Sequence, residues 1–431
     1  MTVATSPERA ARVVISNIFS DDNRGGAAIT AGTIETLRTA LPGCRVSLVT
    51  VTDRADERDA GYRHTMARYP DVELLPPLIK VPSGPMAGAR AVLRSILALA
   101  WPTRLAEHPT VDRIREASMV VGKGGQVFSG NRKGASLAGF WLAVFPLVLG
   151  RRLGTRTAVH AITVGPYPLR STAGRLAGWV LRRADLVLVR DARSYREARA
   201  LGVAEARLEQ VPDVVFTMDP PDAERSRAVA RELHLEPERF GVVTITTSKG
   251  ANDLELFDTL GAVVKDILGQ GLVDDVVTVL QTDGPGASDR VASEAFVRRL
   301  DDPRVRLMDR DLSPEDLIAL YGAAAFTLGC RLHSTLFSVI AGTPAFPVSR
   351  ATTVKADDIF ETLGLDRFVV RLEEGEEERQ RLAQRLAADI ASAVSEQETV
   401  RDEILAAAAR LRDRQEIGVT RLRRLVEREE A

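Results

Sequence analysis

Runs of apolar, mostly β-branched residues recur along the chain, separated by stretches whose apolar positions fall three and four apart, and this alternation predicts strands and helices in turn. The first series of strands is Val13–Ile18, Val46–Val51, Ser118–Val121, Thr157–Val164, Leu186–Val189 and Glu209–Val211, with helical stretches such as Ala28–Ala40 between them. Nearly continuous apolar strands are those covered on both faces, so a parallel sheet sandwiched by helices is expected. A polar, proline-bearing stretch at 219–226, DPPDAERS, interrupts the series. A second series follows at Val242–Thr246, Asp275–Leu280, Val305–Leu307, Ala325–Leu328 and Ala345–Val348. The pattern predicts two doubly wound, Rossmann-like α/β domains at 1–219 and 220–371, with ligands at the carboxyl ends of the strands. From Leu372 the chain becomes rich in Ala, Leu, Glu and Arg at helical spacing, which predicts a C-terminal helical extension over 372–431. Its helices could lay an apolar stripe on the core, the last one crossing back onto the first domain, or serve self-association into a homo-oligomer.

One stretch, GASLAGFWLAVFPLVLG at 134–150, carries no charge and is followed by Arg151 and Arg152. It is shorter than the roughly 20 residues that span a bilayer and contains Pro146, so a buried helix is expected, with peripheral docking at a membrane surface as the alternative. The 431 residues exceed the usual size of one domain. Lysine and arginine nearly cancel the acids, for a formal net charge of −1, and aromatics make up only 5%, so a general nucleic-acid surface is not expected. Cys44 and Cys330 match no metal-ligand spacing and fit a reducing cytoplasm. The opening residues lack the apolar core of a secretion leader, so the expected location is cytoplasmic, the inner face of the membrane included.

Candidate chemistry concentrates where an apolar run, AAAFTLG, ends in Cys330-Arg331-Leu332-His333-Ser334 and re-enters the helical pattern of TLFSVIAGTP. Arg331 offers a planar fork for carboxylate or phosphate, Ser334 could cap the helix, and a helix N-terminus favours an anion. His333 could move protons on whatever the arginine holds. The structural alternative is an ion-paired Arg331 and a core His333. Glycine loops follow two predicted strands, at Asn23-Arg24-Gly25-Gly26 and Gly122-Lys123-Gly124-Gly125, and each could bind ligand or be only a tight turn. Arg190 ends a strand and so can point to ligand, or it pairs with Asp191 or Asp213. His64, His108 and His234 read as surface residues and His160 as a core or supporting one, while Lys249 and Lys355 stand where phosphate could be met.

Residues 305–364 resemble the C-terminal block of the polysaccharide pyruvyl transferase family: an acidic turn DLSPEDLIALY, a strand, RLHS, a helix, Gly342-Thr343-Pro344, Lys355, then Leu363-Gly364-Leu365. The likeness continues upstream in Asn23-Arg24-Gly25, Gly122–Gly125, ITVGP (Ile162 to Pro166), VRDARS (Val189 to Ser194) and VPDVVF (Val211 to Phe216). It departs at Gly26, often acidic in that family, and at Thr352, often tyrosine. The resemblance implies a GT-B-like architecture of two domains facing across a cleft. It also implies transfer of pyruvate from phosphoenolpyruvate to a sugar, glycolipid or lipid-linked oligosaccharide as a cyclic ketal, in building cell-surface polysaccharide.

On that reading His333 is the acid. Arg190, Arg331, Leu332, Ser334 and Lys355 would bind the donor, and Asn23, Gly25, Gly124, Gly125 and Asp213 would line the acceptor side. No metal or other cofactor is expected, because an enol phosphate needs only a proton at its methylene and a held pair of anionic groups. The competing readings are a GT-B glycosyltransferase or sugar epimerase using a nucleotide sugar, with the region Asp283–Asp289 meeting the ribose, and a non-catalytic glycan- or anion-binding relative.

Overall fold

The computed structural model describes residues 10–51, 61–79, 86–101, 108–130, 132–168, 170–246, 253–285, 287–350 and 355–427, without the side chains at 135, 350 and 355. Contacts divide these residues into two compact units, one drawn from Met1–Asp21, Ile29–Thr217 and Arg414–Ala431, the other from Asp22–Ala28 and Met218–Asp413. The short segment Asp22–Ala28, just after the first strand, therefore packs with residues about two hundred and more positions further on.

The first unit holds a seven-stranded sheet in the order β3-β2-β1-β4-β5-β6-β7, every neighbouring pair parallel. Its strands are β1 (Arg12–Ile18), β2 (Arg45–Thr50), β3 (Glu73–Leu75), β4 (Met119–Gly122), β5 (Arg156–Ile162), β6 (Leu186–Val189) and β7 (Leu208–Gln210). Strand order reverses between β1 and β4, which opens a crevice at their carboxyl ends where a doubly wound sheet takes its ligands. The second unit repeats the design with six parallel strands, β12-β9-β8-β13-β14-β15. They are β8 (Phe240–Thr244), β9 (Asp275–Val279), β12 (Val305–Met308), β13 (Phe326–Gly329), β14 (Ala345–Arg350) and β15 (Val370–Leu372), and β10 (Asp283–Gly284) and β11 (Ala287–Ser288) form a small antiparallel hairpin after β9. Here the reversal falls between β8 and β13, so the segment leaving β13, Cys330–Ser334, starts at the switch point.

Each apolar run anticipated as a strand is one, within about two residues at either end. The three-residue edge strands β3 and β15 and the two-residue hairpin strands β10 and β11 are not among the expected runs, whereas β7, equally short as β3, is. The charged tail forms three helices that do not stand apart. Glu376–Ser395 and Gln397–Asp413 belong to the second unit, the latter placing Leu405 and Arg401 against Gly342 at the end of the helix Leu332–Ala341. Gln415–Glu427 belongs to the first unit and packs on β5 and β6.

The uncharged run at 134–150 is a helix, Gly134–Arg152, that packs on the first sheet and on the helix Ala87–Ala100. Phe140, Val144, Phe145, Leu147 and Leu149 are buried in the core of that unit, Phe140 meets Phe128 edge to face at 5.5 Å, and Trp141 Nε1 donates to Ser95 Oγ at 2.6 Å. Among the described residues no helix is long and apolar enough to cross a membrane. Because Phe145 is enclosed on all sides, Phe145→Ala should cost about 3–5 kcal/mol through lost transfer energy and an unfilled cavity. Urea unfolding measures it, and a cost below about 1 kcal/mol would mean that this helix face is not core.

Candidate active site

The site in the second unit begins where β13 ends. The carbonyl of Thr244 on β8 accepts from Cys330 N at 2.9 Å, and the chain then turns into the helix Leu332–Ala341, with Arg331 in extended conformation (φ −108°, ψ 124°) at the N-cap position. Ser334 does not cap this helix, contrary to the sequence-based expectation. Its hydroxyl is fully buried and occupied, donating to the Arg331 carbonyl at 2.6 Å and meeting Thr244 Oγ1 at 2.8 Å, so it ties the helix to the sheet. Arg331 itself makes no side-chain cap hydrogen bond, and the N-terminal end of the helix dipole favours an anion there. Leu332 and His333 lie in this first turn, both partly exposed, and the His333 ring is 6.5 Å from that of Phe337.

Arg331 is held by a carboxylate that the sequence pattern did not connect to it. Asp289, 1% exposed in its side chain, takes Arg331 Nε at 3.1 and 3.2 Å on its two oxygens and Nη2 at 2.5 Å. Asp289 is itself fixed, because its N donates to the Thr282 carbonyl at 2.8 Å while Thr282 N donates to its Oδ2 at 3.1 Å. Arg331 Nη1 makes no hydrogen bond with a described residue. The structural alternative for Arg331, an ion pair, is therefore present, but in a form that spends one edge of the guanidinium and fixes its plane.

The turn Asn23-Arg24-Gly25 closes the other side of this site. Asn23 forms a β-bridge with Thr282, Arg24 N donates to the Gln281 carbonyl at 3.0 Å, and the buried Arg24 guanidinium reaches Asp311 at 2.5 Å. Asn23 Oδ1 accepts from Gly26 N at 3.0 Å, so the asparagine side chain ties down the first turn of the following helix. Gly25 lies directly against His333. A Cβ at Gly25 would collide with Nδ1, Cγ and even Cβ of that imidazole, a clash no side-chain rotation can relieve. Two motifs more than 300 positions apart in the sequence are thus in direct contact. Tyr321 also reaches this site, its hydroxyl donating to Gln281 Oε1 at 3.2 Å, with burial pushing the phenol well above its usual range. Burial also pushes the Cys330 thiol up to about 12, so the neighbouring sulfur stays protonated.

The remaining candidates lie in the first unit, or partly outside the described residues. Arg190, just past β6, is buried and pairs at 2.5 Å with Asp213, whose Oδ1 accepts from Val215 N at 3.2 Å and whose carbonyl accepts from Gln415 Nε2 at 2.8 Å. Asp191 caps the helix Ala192–Ala200 through Ser194 N at 2.6 Å, and Ser194 Oγ receives Val164 N at 2.9 Å, so most of VRDARS is explained by local structure. Gly124 and Gly125 are demanded by the backbone. A Cβ at Gly124 would lie 2.9 Å from the carbonyls of His160 and Ala161, and Gly125 has φ 112° while its carbonyl accepts from Thr163 N at 3.0 Å. Between them and β4, Lys123 is buried with Nζ 3.0 Å from Thr30 Oγ1, and burial, opposed by Asp21, brings it down to about 8.

His160 is wholly buried on β5, as its strand position suggested. Lys355 opens the helix Lys355–Leu363, but its side chain, like Lys249 and Thr352, lies outside the described residues. Among the described residues no three His, Cys, Asp or Glu side chains are grouped so as to hold a metal ion.

Two parallel α/β units, each with its strand-order reversal, define a Rossmann-like fold of the GT-B class. The chain is similar in this way to UDP-GlcNAc 2-epimerase from Neisseria meningitidis, solved bound to UDP-GlcNAc, with a TM-score of 0.61 at 9% identity over 96% of this chain and 99% of that one. It is likewise similar to HepE of Anabaena, solved with UDP and glucose, with a TM-score of 0.56 at 13% identity over 95% and 97%. At such identities the likeness is one of fold. Residues 23–352 match the family described as polysaccharide pyruvyl transferase, and the chain belongs to that family.

Gly25→Ala should destabilise the second unit by about 1–3 kcal/mol, the usual cost of forcing atoms into a packed contact. An unchanged urea midpoint would mean that His333 does not rest on this turn. His160 gives a pH prediction. Burial, opposed by Asp213, lowers its pKa from the ordinary 6.5 to about 4, so between these values the unfolded chain binds the extra proton. The stability from keeping this ring neutral is complete above pH 6.5, falls as pH drops, and is spent near pH 4, a change of about 3 kcal/mol. Imidazole NMR should show one histidine neutral through pH 5; a midpoint near 6.5 for His160 would contradict its burial.

Proposed function

We propose that the protein transfers pyruvate from phosphoenolpyruvate to two hydroxyls of a sugar as a cyclic ketal, and that the Arg331–His333 turn is where the donor binds. The observation that carries this reading is the combination of an arginine fixed in plane by Asp289 and a half-buried histidine two positions further on, in the first turn of the helix Leu332–Ala341. Nη1 of Arg331 and the helix dipole would meet the donor's carboxylate and phosphate. His333, as imidazolium, gives a proton to the methylene carbon, and C2 becomes electrophilic. One sugar hydroxyl adds to C2 and releases its proton; the C2–O bond to phosphate breaks, with the electron pair leaving on phosphate. The second hydroxyl then adds to C2 and releases the second proton. One released proton restores the imidazolium and the other leaves with phosphate, so the sum is donor plus diol giving ketal plus inorganic phosphate. Holding both hydroxyls by one carbon makes the second closure intramolecular.

Two carboxylates of the region Asp283–Asp289, considered for a nucleotide sugar's ribose, have protein partners. Asp289 is committed to Arg331, and Asp283 pairs with Arg290 at 2.7 Å and accepts from Ser288 Oγ at 2.7 Å.

Purified protein incubated with phosphoenolpyruvate and a panel of sugars should release phosphate in step with ketal formation. His333→Ala should lower kcat by about 10²–10⁴ while the fold is kept, and Arg331→Lys should weaken donor binding about tenfold or more, because an ammonium cannot both hold Asp289 along an edge and face the donor. Full turnover in the alanine variant, or release from a nucleotide sugar and not from phosphoenolpyruvate, would overturn the reading.

A further inference from the structure

Seven large apolar side chains are exposed among the described residues, and four of them, Met86, Leu93, Ile96 and Trp101, at 73, 57, 49 and 55% exposure, fall on or beside the single helix Ala87–Ala100. They are not scattered around it. Ala91, Ser95 and Ala98 form the buried side, which rests on the helix Gly134–Arg152 through the Ser95–Trp141 hydrogen bond and the close approach of Gly88 to Ala138. The spacing of 86, 93, 96 and 101, with exposed Ala89 and Ala100, puts the apolar groups on the opposite side as one stripe. Scattered exposed apolar residues need no explanation, but a stripe of them does.

The charges on the same side say what could cover it. Arg90 and Arg94 are exposed within the stripe, no acidic residue occurs from Met86 to Trp101, and neither arginine makes an ion pair with a described residue. In a chain whose total charge is nearly zero, this is a local excess of two positive charges laid among leucine, isoleucine and tryptophan. A second copy of the same face would set arginine against arginine. An anionic interface meets both features at once, with apolar side chains entering the acyl boundary, arginines on headgroup phosphates and an indole at the boundary level. At 14 residues the helix is about 21 Å long, too short to cross the roughly 30 Å of hydrocarbon, so it lies on the surface.

We propose that the helix Ala87–Ala100 docks the protein on an anionic lipid bilayer. This face differs from the apolar run at 134–150, which is turned to the core. The docking does not depend on which donor is used.

The test is sedimentation of the whole protein with vesicles of phosphatidylcholine alone and with added phosphatidylglycerol. Binding should appear with the anionic lipid and fall with salt. It should weaken about tenfold or more in the double variant Leu93→Glu, Ile96→Glu, and also in Arg90→Gln, Arg94→Gln, a gentler change that leaves the apolar stripe intact. Turnover on a short water-soluble acceptor should be unaltered in both, which separates loss of docking from loss of the catalytic reading. No binding to anionic vesicles, or binding indifferent to both variants, would overturn the proposal. So would a dimer in analytical ultracentrifugation that Leu93→Glu, Ile96→Glu disperses, since a second copy would then own the face.

Discussion

The grip of Asp289 on Arg331 is the interaction around which the second unit's site is arranged. A carboxylate this deeply buried needs a paired charge and hydrogen bonds, and it has both, taking the guanidinium edge-on and accepting from Thr282 N on Oδ2. The geometry that satisfies the acid also decides what the arginine can still do. With Nε and Nη2 committed, the guanidinium plane is set and Nη1 is the donor nitrogen that remains. A site that must recognise a planar anion gains from such fixing, because the ordering cost is met in folding and not at binding.

The same stretch, Gln281 to Asp289, receives the turn that follows the first strand. Asn23 and Arg24 join its main chain, Arg24 is buried against Asp311, and Gly25 brings backbone against the His333 imidazole where any larger residue would displace it. The orientation of His333 thus depends on a glycine from the far end of the chain. An asparagine, an arginine and a glycine in succession have separate reasons to be there: a side-chain cap, an ion pair from a buried guanidinium to an exposed carboxylate, and the absence of a Cβ.

The first unit shows how motif residues can be structural even when the chain belongs to a catalytic family. Asp191 caps a helix, Ser194 Oγ receives Val164 N, and Gly124 and Gly125 allow backbone to pass backbone. Arg190 is locked to Asp213, whose turn is in turn held by Gln415 from the last helix. The charged tail therefore reaches a buried ion pair of that unit through Gln415. Both side chains are 2% exposed, so removal of either would strand the other charge, and the Arg190 Nε is itself buried without a hydrogen-bond partner among the described residues.

Apolar patterning determined eleven strands of the two parallel sheets and their alternation with helices, and the length and missing charge of 134–150 its place as a buried helix, because burial on two faces writes itself into residue type; the edge strands β3 and β15 were left out. The Arg-x-His turn was legible as well, since it stands at a strand's carboxyl end, where the fold makes its crevice. What sequence left open was pairing. Nothing along the chain links Asp289 to Arg331, Gly25 to His333 or Gln415 to Asp213, and Ser334, a good cap by type, instead spends its hydroxyl on Thr244 and on the Arg331 carbonyl. Local preference is a matter of neighbours in the chain. Which carboxylate meets which arginine, and which glycine makes room for which ring, is fixed only when distant segments are packed and every buried polar group must find a partner.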